Sequence, residues 1–402
     1  MNEPVVFQAL PKWDAAYNST SLTVAKLLSR KRKVFYIEHP FSWVDTIRSH
    51  TKTQRLKRVD ARMNQPFEEF PDFTVIHPPY ILPINALSEG IVYRALLKQY
   101  QQKLWKNIDQ VLTDQGISSF GYVNSFDPVF FSFQSRLNCL YKIYHCVDLI
   151  EGESYIAKHG VRAEKEACAQ SDFVITTSEP LRRRLSEHTS RVECIPNAAD
   201  FNHFSVRQNR PPEFKEDGRL KMVYTGSIGH RIDYAFLMHI AQNNPEAQLY
   251  LVGPTHPTYY GGGELELLDN VHVLGPRSYE VLPAYIQHAD VLLIPFLKNE
   301  LTHHIYPLKI NEYLSTGKPI VTTRFSDLSG FNDLITIDDE FDSPAEAIHH
   351  AVHSDNEECR RMRADFASRN TWQHRIEGWE ELIVYLESKP FVEHLIRSSM
   401  ME

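Results

Sequence analysis

From residue 220 to residue 323, short apolar runs alternate with amphipathic segments at a spacing typical of strands and helices. The pattern predicts strands at 220–224, 248–252, 271–274, 290–295 and 319–323, and helices at 233–243, 279–288 and 308–315. Strands separated by helices form parallel sheets that are covered on both faces. This half of the chain is therefore predicted to be a doubly wound α/β domain.

The first half of the chain shows a similar but less regular alternation. It predicts strands at Val5–Leu10, Val34–Ile37, Tyr141–Val147 and 171–177, a helix capped by Thr20 or Ser21 that ends near Arg30, and a helix opened by Glu179 and Pro180. The loop after the first strand lacks the GxGxxG pattern, so no conventional dinucleotide site is expected there. A polar stretch with Pro211 and Pro212 separates the halves. We predict domains at 1–205 and 206–370, and a terminal amphipathic helix within 371–402.

Composition restricts the classes of function. The 402 residues, 42% of them hydrophobic, suffice for two cores, and a net charge of −8 argues against a general nucleic-acid binder. The five cysteines are widely spaced without a CxxC pair, which favours reduced thiols in a cytoplasmic protein and no metal site. No signal-peptide pattern and no apolar run of about 20 residues occurs, so a soluble or peripheral protein is expected.

The segment between the last two predicted strands reads YPLKINEYLSTGKPIV (Tyr306–Val321). Its helix should begin near Pro307 and stop at Gly317, with Lys309 and Glu312 one turn apart at its start. In open α/β sheets this position, outside the carboxyl ends of the strands, is where ligands bind. A cation and an acid there suit a ligand with phosphate and ribose hydroxyls, such as a nucleotide sugar. The alternative is an ordinary surface ion pair.

A second candidate is the glycine loop Gly226-Ser227-Ile228-Gly229, which follows a predicted strand and precedes a helix. Two glycines permit close backbone approach, and amides at a helix start can meet a diphosphate. Arg231 would add a charge-assisted bond. Glycine turns between strands and helices are common, so the loop alone is a weak signal.

These segments also carry a family resemblance. PLKINEYLSTGKPIV resembles the donor-site signature of GT-B fold glycosyltransferases, particularly the family 4-like (glycosyltransferase group 1) enzymes of bacterial polysaccharide assembly. Further similar segments, in the order expected for that family, are YTGSIGHRIDYAFL, VHVLGPRSYEVLPAYIQHADVLLIPF, SDFVITTSEPLRRRL and IPNAADFNHF. The resemblance is dense from about Tyr141 to Phe325 and thin over the first hundred residues.

The resemblance implies two Rossmann-like domains, an acceptor domain at 1–205 and a nucleotide-sugar domain at 206–370, with the terminal helix packing back on the first. It implies that Glu312 bonds the ribose hydroxyls, that Lys309 and Arg231 neutralise the diphosphate, and that Arg277 lies near the nucleobase. A solvent-facing loop arginine is the alternative for Arg277. No DxD-type acidic motif is present, so we expect a metal-independent reaction without a cofactor, the nucleotide-diphosphate sugar being a co-substrate.

The sequence departs from the family pattern on the donor side. Many members carry a glutamate eight positions before the equivalent of Glu312, where this chain has His304. That glutamate normally lies near the sugar ring, so its replacement leaves the donor sugar and the stereochemical outcome open. His303 or His304 is a candidate sugar contact, and a solvated histidine pair is the alternative.

The candidates for the acceptor-side base are Asp148, His145 and Asp14. Asp148 resembles the aspartate of the family's His-Asp strand end, but Val147 replaces the histidine and His145 stands three residues back. Strand alternation puts His145 and Asp148 on opposite faces, and Asp148 is favoured. Asp14 follows Trp13 after the first strand, in a pair that resembles one in some group 1 transferases. Structural roles in loops are the alternatives for both aspartates.

The basic segment from Arg48 to Arg62 is expected either to be solvated or to contact an anionic lipid surface or lipid-linked acceptor. The resemblance, together with these residues, implies a metal-independent glycosyltransferase that moves a hexose-type sugar to a polysaccharide or lipid-linked glycan, with retention of configuration favoured. A nonhydrolysing sugar-nucleotide epimerase and a non-catalytic GT-B scaffold are the alternatives. The protein is expected in the cytoplasm, with peripheral contact to the inner face of the cell membrane as a further expectation.

Overall fold

The computed structural model describes residues 2–15, 19–40, 63–153 and 155–399, with side chains as far as Ser388. The chain forms two compact units: unit 1 comprises Met1–Pro196 and Ile376–Glu402, and unit 2 comprises Asn197–Arg375. The sequence prediction divided the halves after residue 205. The division lies earlier because the Asn197 side-chain amide donates to the Tyr306 carbonyl (2.9 Å) and Phe204 is buried in the core of unit 2.

Unit 1 is built on an eight-stranded sheet. Its strands are β1 (Val5–Ala9), β2 (Val34–Glu38), β3 (Met63–Asn64), β4 (Phe73–Ile76), β5 (Ser119–Ser125), β6 (Asn138–Cys146), β7 (Phe173–Thr176) and β8 (Val192–Cys194). Its first four described helices are α1 (Thr20–Leu28), α2 (Ile91–Asp114), α3 (Ala157–Gln170) and α4 (Glu179–Leu185). The strand order is β3-β4-β2-β1-β5-β6-β7-β8, and every pair except β3–β4 is parallel. The inner strands β1 and β2 are buried along their whole length, as strands covered on both faces must be.

Unit 2 is built on six parallel strands. They are β9 (Lys221–Thr225), β10 (Gln248–Val252), β11 (Val271–Gly275), β12 (Val291–Ile294), β13 (Ile320–Thr322) and β14 (Thr336–Ile337). Its helices are α5 (Phe201–Ser205), α6 (Tyr234–Asn243), α7 (Leu282–Gln287), α8 (Glu300–His303), α9 (Leu308–Leu314), α10 (Pro344–His353) and α11 (Glu357–Arg369).

The strand order of unit 2, β11-β10-β9-β12-β13-β14, is that of a doubly wound nucleotide-binding sheet. The order reverses between β9 and β12, and the crevice at the carboxyl ends of these two strands is where such sheets bind ligands. The predicted α/β fold with two Rossmann-like sheets is confirmed. Strands were predictable because buried parallel strands are nearly continuous apolar runs.

The last helix, α12 (Trp372–Ser399), belongs to unit 1 from Ile376 onward. Its Trp379 is buried against Phe7, with ring centroids 6.4 Å apart. The fully buried Arg32 guanidinium pairs with Glu380 (2.9 Å) and Glu387 (2.5 Å). An apolar stripe and one buried cation therefore hold this helix on the sheet of unit 1.

Some sequence predictions need correction or fall outside the structure. Ser19, rather than Thr20 or Ser21, caps α1, because its hydroxyl accepts from the Leu22 amide (3.2 Å). The predicted cap was wrong by one or two residues. The basic segment at 48–62 lies outside the described residues. Among the helices described, none is both long and apolar enough to cross a membrane.

Candidate functional site

The glycine loop leaves β9 at the carboxyl edge of the sheet of unit 2. The Gly226 amide donates to Val252 (2.8 Å) and the Ile228 amide to Pro254 (2.8 Å), so the loop is fixed to the chain that follows β10. Among the described residues, the amides of Ser227 and Gly229 donate to no protein acceptor. The start of α6 is already capped by Asp233, which accepts from Phe236. The Ser227 and Gly229 amides, rather than the capped first turn of α6, are therefore the backbone donors that this edge leaves available for a ligand.

Two glycines make this geometry possible. Gly226 has φ +141°, and a Cβ there would lie 2.1 Å from Lys309 Cε. Gly253, at the end of β10, has φ +155°, and its Cβ would lie 1.8 Å from the Gly226 carbonyl oxygen. Both backbone conformations are strained for any other residue. Gly253 was not singled out from the sequence, because its contact depends on the pairing of β9 with β10.

Lys309 lies directly against this loop. It stands in the first turn of α9, and its Nζ is 5.8 Å from the centre of the buried Tyr224 ring. The pKa of Lys309 is lowered, mainly by burial. Attraction to Glu312 partly opposes this shift, and repulsion from the nearby Arg231 guanidinium adds to it. In the part of the chain that the structure describes, no carboxylate lies within 4.0 Å of its ammonium. Lys309 and Arg231 therefore lie close together beside the loop, and no carboxylate pairs with Lys309 among the described residues.

Glu312 lies one turn further along α9. Burial raises its pKa, whereas Lys309 and His203 lower it. His203, in α5, stacks on Tyr279 with ring centroids 4.3 Å apart and bonds the Tyr279 carbonyl through Nε2 (3.0 Å). Sequence reasoning missed His203 and Tyr279. The available signal was weak, since α5 and the turn before α7 are far apart in the chain.

The position of α9 is set by two hydrogen-bonded tyrosines and two asparagines. The Tyr313 hydroxyl accepts from the Thr225 amide at the end of β9 (2.9 Å). The buried Asn311 amide donates to the Tyr306 hydroxyl (3.1 Å) and to the Asn197 carbonyl (3.3 Å). These bonds fix Lys309 and Glu312 relative to the glycine loop.

Two predicted donor residues have other partners. The Arg277 guanidinium donates to Glu213 (2.7 Å), to the Tyr285 hydroxyl (2.8 Å) and to the Leu274 carbonyl (2.7 Å). These bonds hold Arg277 at the β11 edge of the sheet. None of its hydrogen-bond partners belongs to the glycine loop or to α9. His304, the residue that follows α8, bonds the Glu300 carbonyl through Nδ1 (2.7 Å).

In unit 1 the structure places His145 in the core. β6 is covered on both faces, and His145 is 1% exposed, with its Nδ1 2.8 Å from the Ser125 hydroxyl and its ring edge-on to Trp379. Burial lowers the pKa of His145 to about 3. The structure therefore gives His145 a neutral core position in place of the catalytic one considered from the sequence. Asp148 lies just past the strand, partly exposed, with the Leu149 amide bonding its carboxylate (3.3 Å). Asp14 is also partly exposed.

Unit 1 contains a further acid–base pair that sequence reasoning missed. Asp127, fully buried after β5, lies 3.1 Å from Nδ1 of His39, which follows β2. The Gln8 amide also donates to this carboxylate (3.2 Å). Both residues follow strands at the carboxyl edge of the sheet, next to the point where the strand order of unit 1 reverses. Neither here nor elsewhere among the described residues do three His, Cys, Asp or Glu side chains lie close enough together to hold a metal ion.

The chain is similar to known glycosyltransferases in sequence and in fold. Residues 221–353 match the family described as Glycosyl transferases group 1. The matched stretch starts at the first residue of β9 and contains every predicted donor-side residue. TuaH of Bacillus subtilis (strain 168), provisionally named a teichuronic acid biosynthesis glycosyltransferase, is 26% identical over 203 residues. That match covers 46% of this chain and 51% of TuaH, so the chain matches about half the length of this relative.

Solved structures share the fold over nearly the whole chain. Sucrose-phosphate synthase from Thermosynechococcus elongatus has a TM-score of 0.68 at 15% identity, covering 96% of this chain and all of that one. HepE from Anabaena, solved with UDP-glucose, has a TM-score of 0.63 at 12% identity, covering 96% of this chain and 100% of that chain. The GT-B fold expected from the sequence is confirmed by these structures, and the resemblance to glycosyltransferase group 1 is confirmed as a match over residues 221–353.

Proposed function

We propose that the protein transfers a sugar from a nucleotide-diphosphate sugar held by unit 2 to a polysaccharide or lipid-linked glycan held by unit 1. The observation that carries the proposal is the convergence of Lys309 and Arg231 on the glycine loop at the reversal point of the sheet. A nucleoside diphosphate would bring negative charge to Lys309, whose ammonium has no carboxylate within 4.0 Å among the described residues.

The reaction breaks the bond between the anomeric carbon and the diphosphate oxygen, which takes the bonding electrons. It forms a bond from that carbon to an acceptor hydroxyl oxygen, whose proton passes to a base. Fixed donors aimed at this oxygen stabilise the charge that develops as the bond breaks. Lys309, Arg231 and the Ser227 and Gly229 amides are the groups that we assign to this task. Because they supply the charge stabilisation, we propose a reaction that needs no metal ion. Retention of configuration is the outcome that the family resemblance favours.

Glu312 is assigned to the ribose. A carboxylate accepts hydrogen bonds from two vicinal hydroxyls, and Glu312 follows Lys309 by one helical turn, which separates ribose and phosphate contacts by about 5 Å. HepE is solved with UDP and with UDP-glucose, so UDP-glucose is the first donor to test.

For the acceptor, the name of TuaH points to teichuronic acid biosynthesis. We propose that Asp148 and Asp14 remain the candidates for the group that receives the acceptor proton, and that His39, oriented by Asp127, joins them. A buried carboxylate on one imidazole nitrogen fixes the tautomer and orientation of the ring, which suits proton acceptance at the other nitrogen.

The test is incubation of the full chain with labelled UDP-sugars and a glycan fraction in the presence of a chelator, with products resolved by mass spectrometry. We expect the wild type to produce labelled glycan and to release UDP, and we expect Lys309→Met to do neither. Conversion of the donor to an isomer without any acceptor would instead establish an epimerase. Loss of transfer on chelation would refute the metal-independent reaction.

A further inference from the structure

The loop before α2 and the first turn of that helix carry a group of exposed apolar side chains, which we call the apolar tip. Its members are Tyr80, Leu82, Leu87, Ile91 and Val92. Ile91 is 89% exposed and Val92 67%. Single exposed apolar residues are ordinary, but five within the thirteen residues 80–92, two of them adjacent at the start of a helix, mark a candidate interaction surface.

The backbone of the apolar tip is held in place. The Leu82 amide donates to the Tyr100 hydroxyl (3.1 Å), and the Lys158 ammonium donates to the Ala86 carbonyl (3.0 Å). Glu89 pairs with Arg94 (3.0 Å) and Arg162 (2.9 Å). The tip is therefore anchored to both α2 and α3, and its side chains are presented to solvent by a structured segment.

The charge next to the tip is positive. Lys98, Lys103 and Lys106 are exposed along α2, and between residues 80 and 106 the only acid is the doubly paired Glu89. This region is basic in a chain whose net charge is −8. At 1.5 Å per residue, Lys98 lies about 10 Å along the helix from Ile91. Apolar groups of peripheral proteins reach about 5–10 Å into the boundary between headgroups and acyl chains, so Lys98 would then stand among lipid phosphates.

We propose that the apolar tip and this lysine row dock unit 1 on a bilayer surface rich in anionic phospholipid. A second copy of the chain is a poorer occupant, because a symmetric contact through the tip would bring two lysine rows together. Anionic headgroups complement the same row, and each lysine near such a surface contributes attraction that salt weakens.

The experiment is flotation of the full chain with phosphatidylcholine vesicles that contain or lack phosphatidylglycerol. We expect binding only to the phosphatidylglycerol vesicles, decreasing with salt. Ile91→Asp combined with Val92→Asp should lower the partition coefficient at least about tenfold, because two apolar side chains no longer leave water. Acidic residues in the first turn of a helix favour its dipole, so this variant should fold.

Two further variants complete the test. Lys98→Glu combined with Lys103→Glu should lower the partition coefficient about fivefold or more per site and remove most of the salt dependence. Leu267→Asp, at an 81% exposed position of unit 2, is the matched control and should bind as the wild type does. Equal binding by the Ile91/Val92 variant, or no binding by the wild type, would overturn the proposal. A dimer that this variant dissociates would assign the tip to self-association instead. Vesicle binding needs neither donor nor acceptor, so its outcome is independent of the proposed transfer reaction.

Discussion

The substitution Gly226→Ala tests the close approach between the glycine loop and α9. The new methyl group would lie 2.1 Å from Cε and 2.6 Å from Nζ of Lys309, and 2.9 Å from the Tyr224 hydroxyl. Those distances are shorter than any non-bonded contact, so the Lys309 side chain must swing away. Lys309 is the part that yields, because the Tyr224 ring is fully buried.

Two costs follow, and they can be measured separately. The backbone conformation of Gly226 is strained for alanine, which should cost about 1–3 kcal/mol of unfolding free energy. Removing a charge-assisted bond from Lys309 to the diphosphate should cost about 1.5–3 kcal/mol of binding free energy, or roughly 10- to 150-fold in Kd.

Isothermal titration with UDP-glucose measures the second cost, and a denaturant melt measures the first. Gly218→Ala is the matched control, since Gly218 in unit 2 also has a positive φ (+71°) but no atom within 4 Å of the added Cβ. It should lose less stability than Gly226→Ala, because alanine adopts the left-handed helical region at a cost of about 1–2 kcal/mol, and it should keep its affinity. If folded Gly226→Ala binds UDP-glucose as the wild type does, the assignment of Lys309 to the diphosphate is refuted.

Other outcomes follow from the charges in the structure. Lys309→Met should weaken UDP-glucose binding by roughly 10- to 100-fold in titration calorimetry, whereas Lys318→Met, a control at another partly buried lysine with a lowered pKa, should not. UDP-glucose affinity should fall at high pH, because the lowered pKa of Lys309 makes it lose its proton at a pH below the usual 10.5. It should also fall at low pH, because the raised pKa of Glu312 makes it gain a proton at a pH above the usual 4.5. An affinity that does not change with pH would contradict both assignments. The wild type should lose roughly 4 kcal/mol of unfolding free energy between pH 6.5 and 3, because His145 takes up a proton in the unfolded chain but stays neutral in the native one. His145→Asn should remove this loss. Arg32→Met should cost about 3–5 kcal/mol in a urea melt, since two carboxylates lose their buried partner, and a cost below about 1 kcal/mol would show that α12 is held by apolar packing alone.

Much of unit 2 could be predicted from the sequence because its strands are buried apolar runs separated by clear helix signals. The order of strand, loop and helix also placed Lys309, Glu312 and Gly226 at the same edge of one sheet. The long helix α2 was not predicted. Its exposed face begins with Ile91 and Val92, so polar and apolar residues do not separate cleanly there.

The rest of the site depends on contacts between distant parts of the chain. Gly253 matters because β9 pairs with β10, and the His203–Tyr279 stack joins α5 to the turn before α7. Strand alternation separated His145 from Asp148, but only the packing of Trp379 from α12 shows that His145 faces the core. No local pattern carries that information.

The most direct test of the central claim is a crystal structure of the protein with UDP-glucose bound. We expect the diphosphate within hydrogen-bonding distance of Lys309 Nζ and the Ser227 amide, and the ribose hydroxyls on the Glu312 carboxylate. Ligand bound away from the carboxyl ends of β9 and β12, or a diphosphate held through a divalent ion, would contradict it.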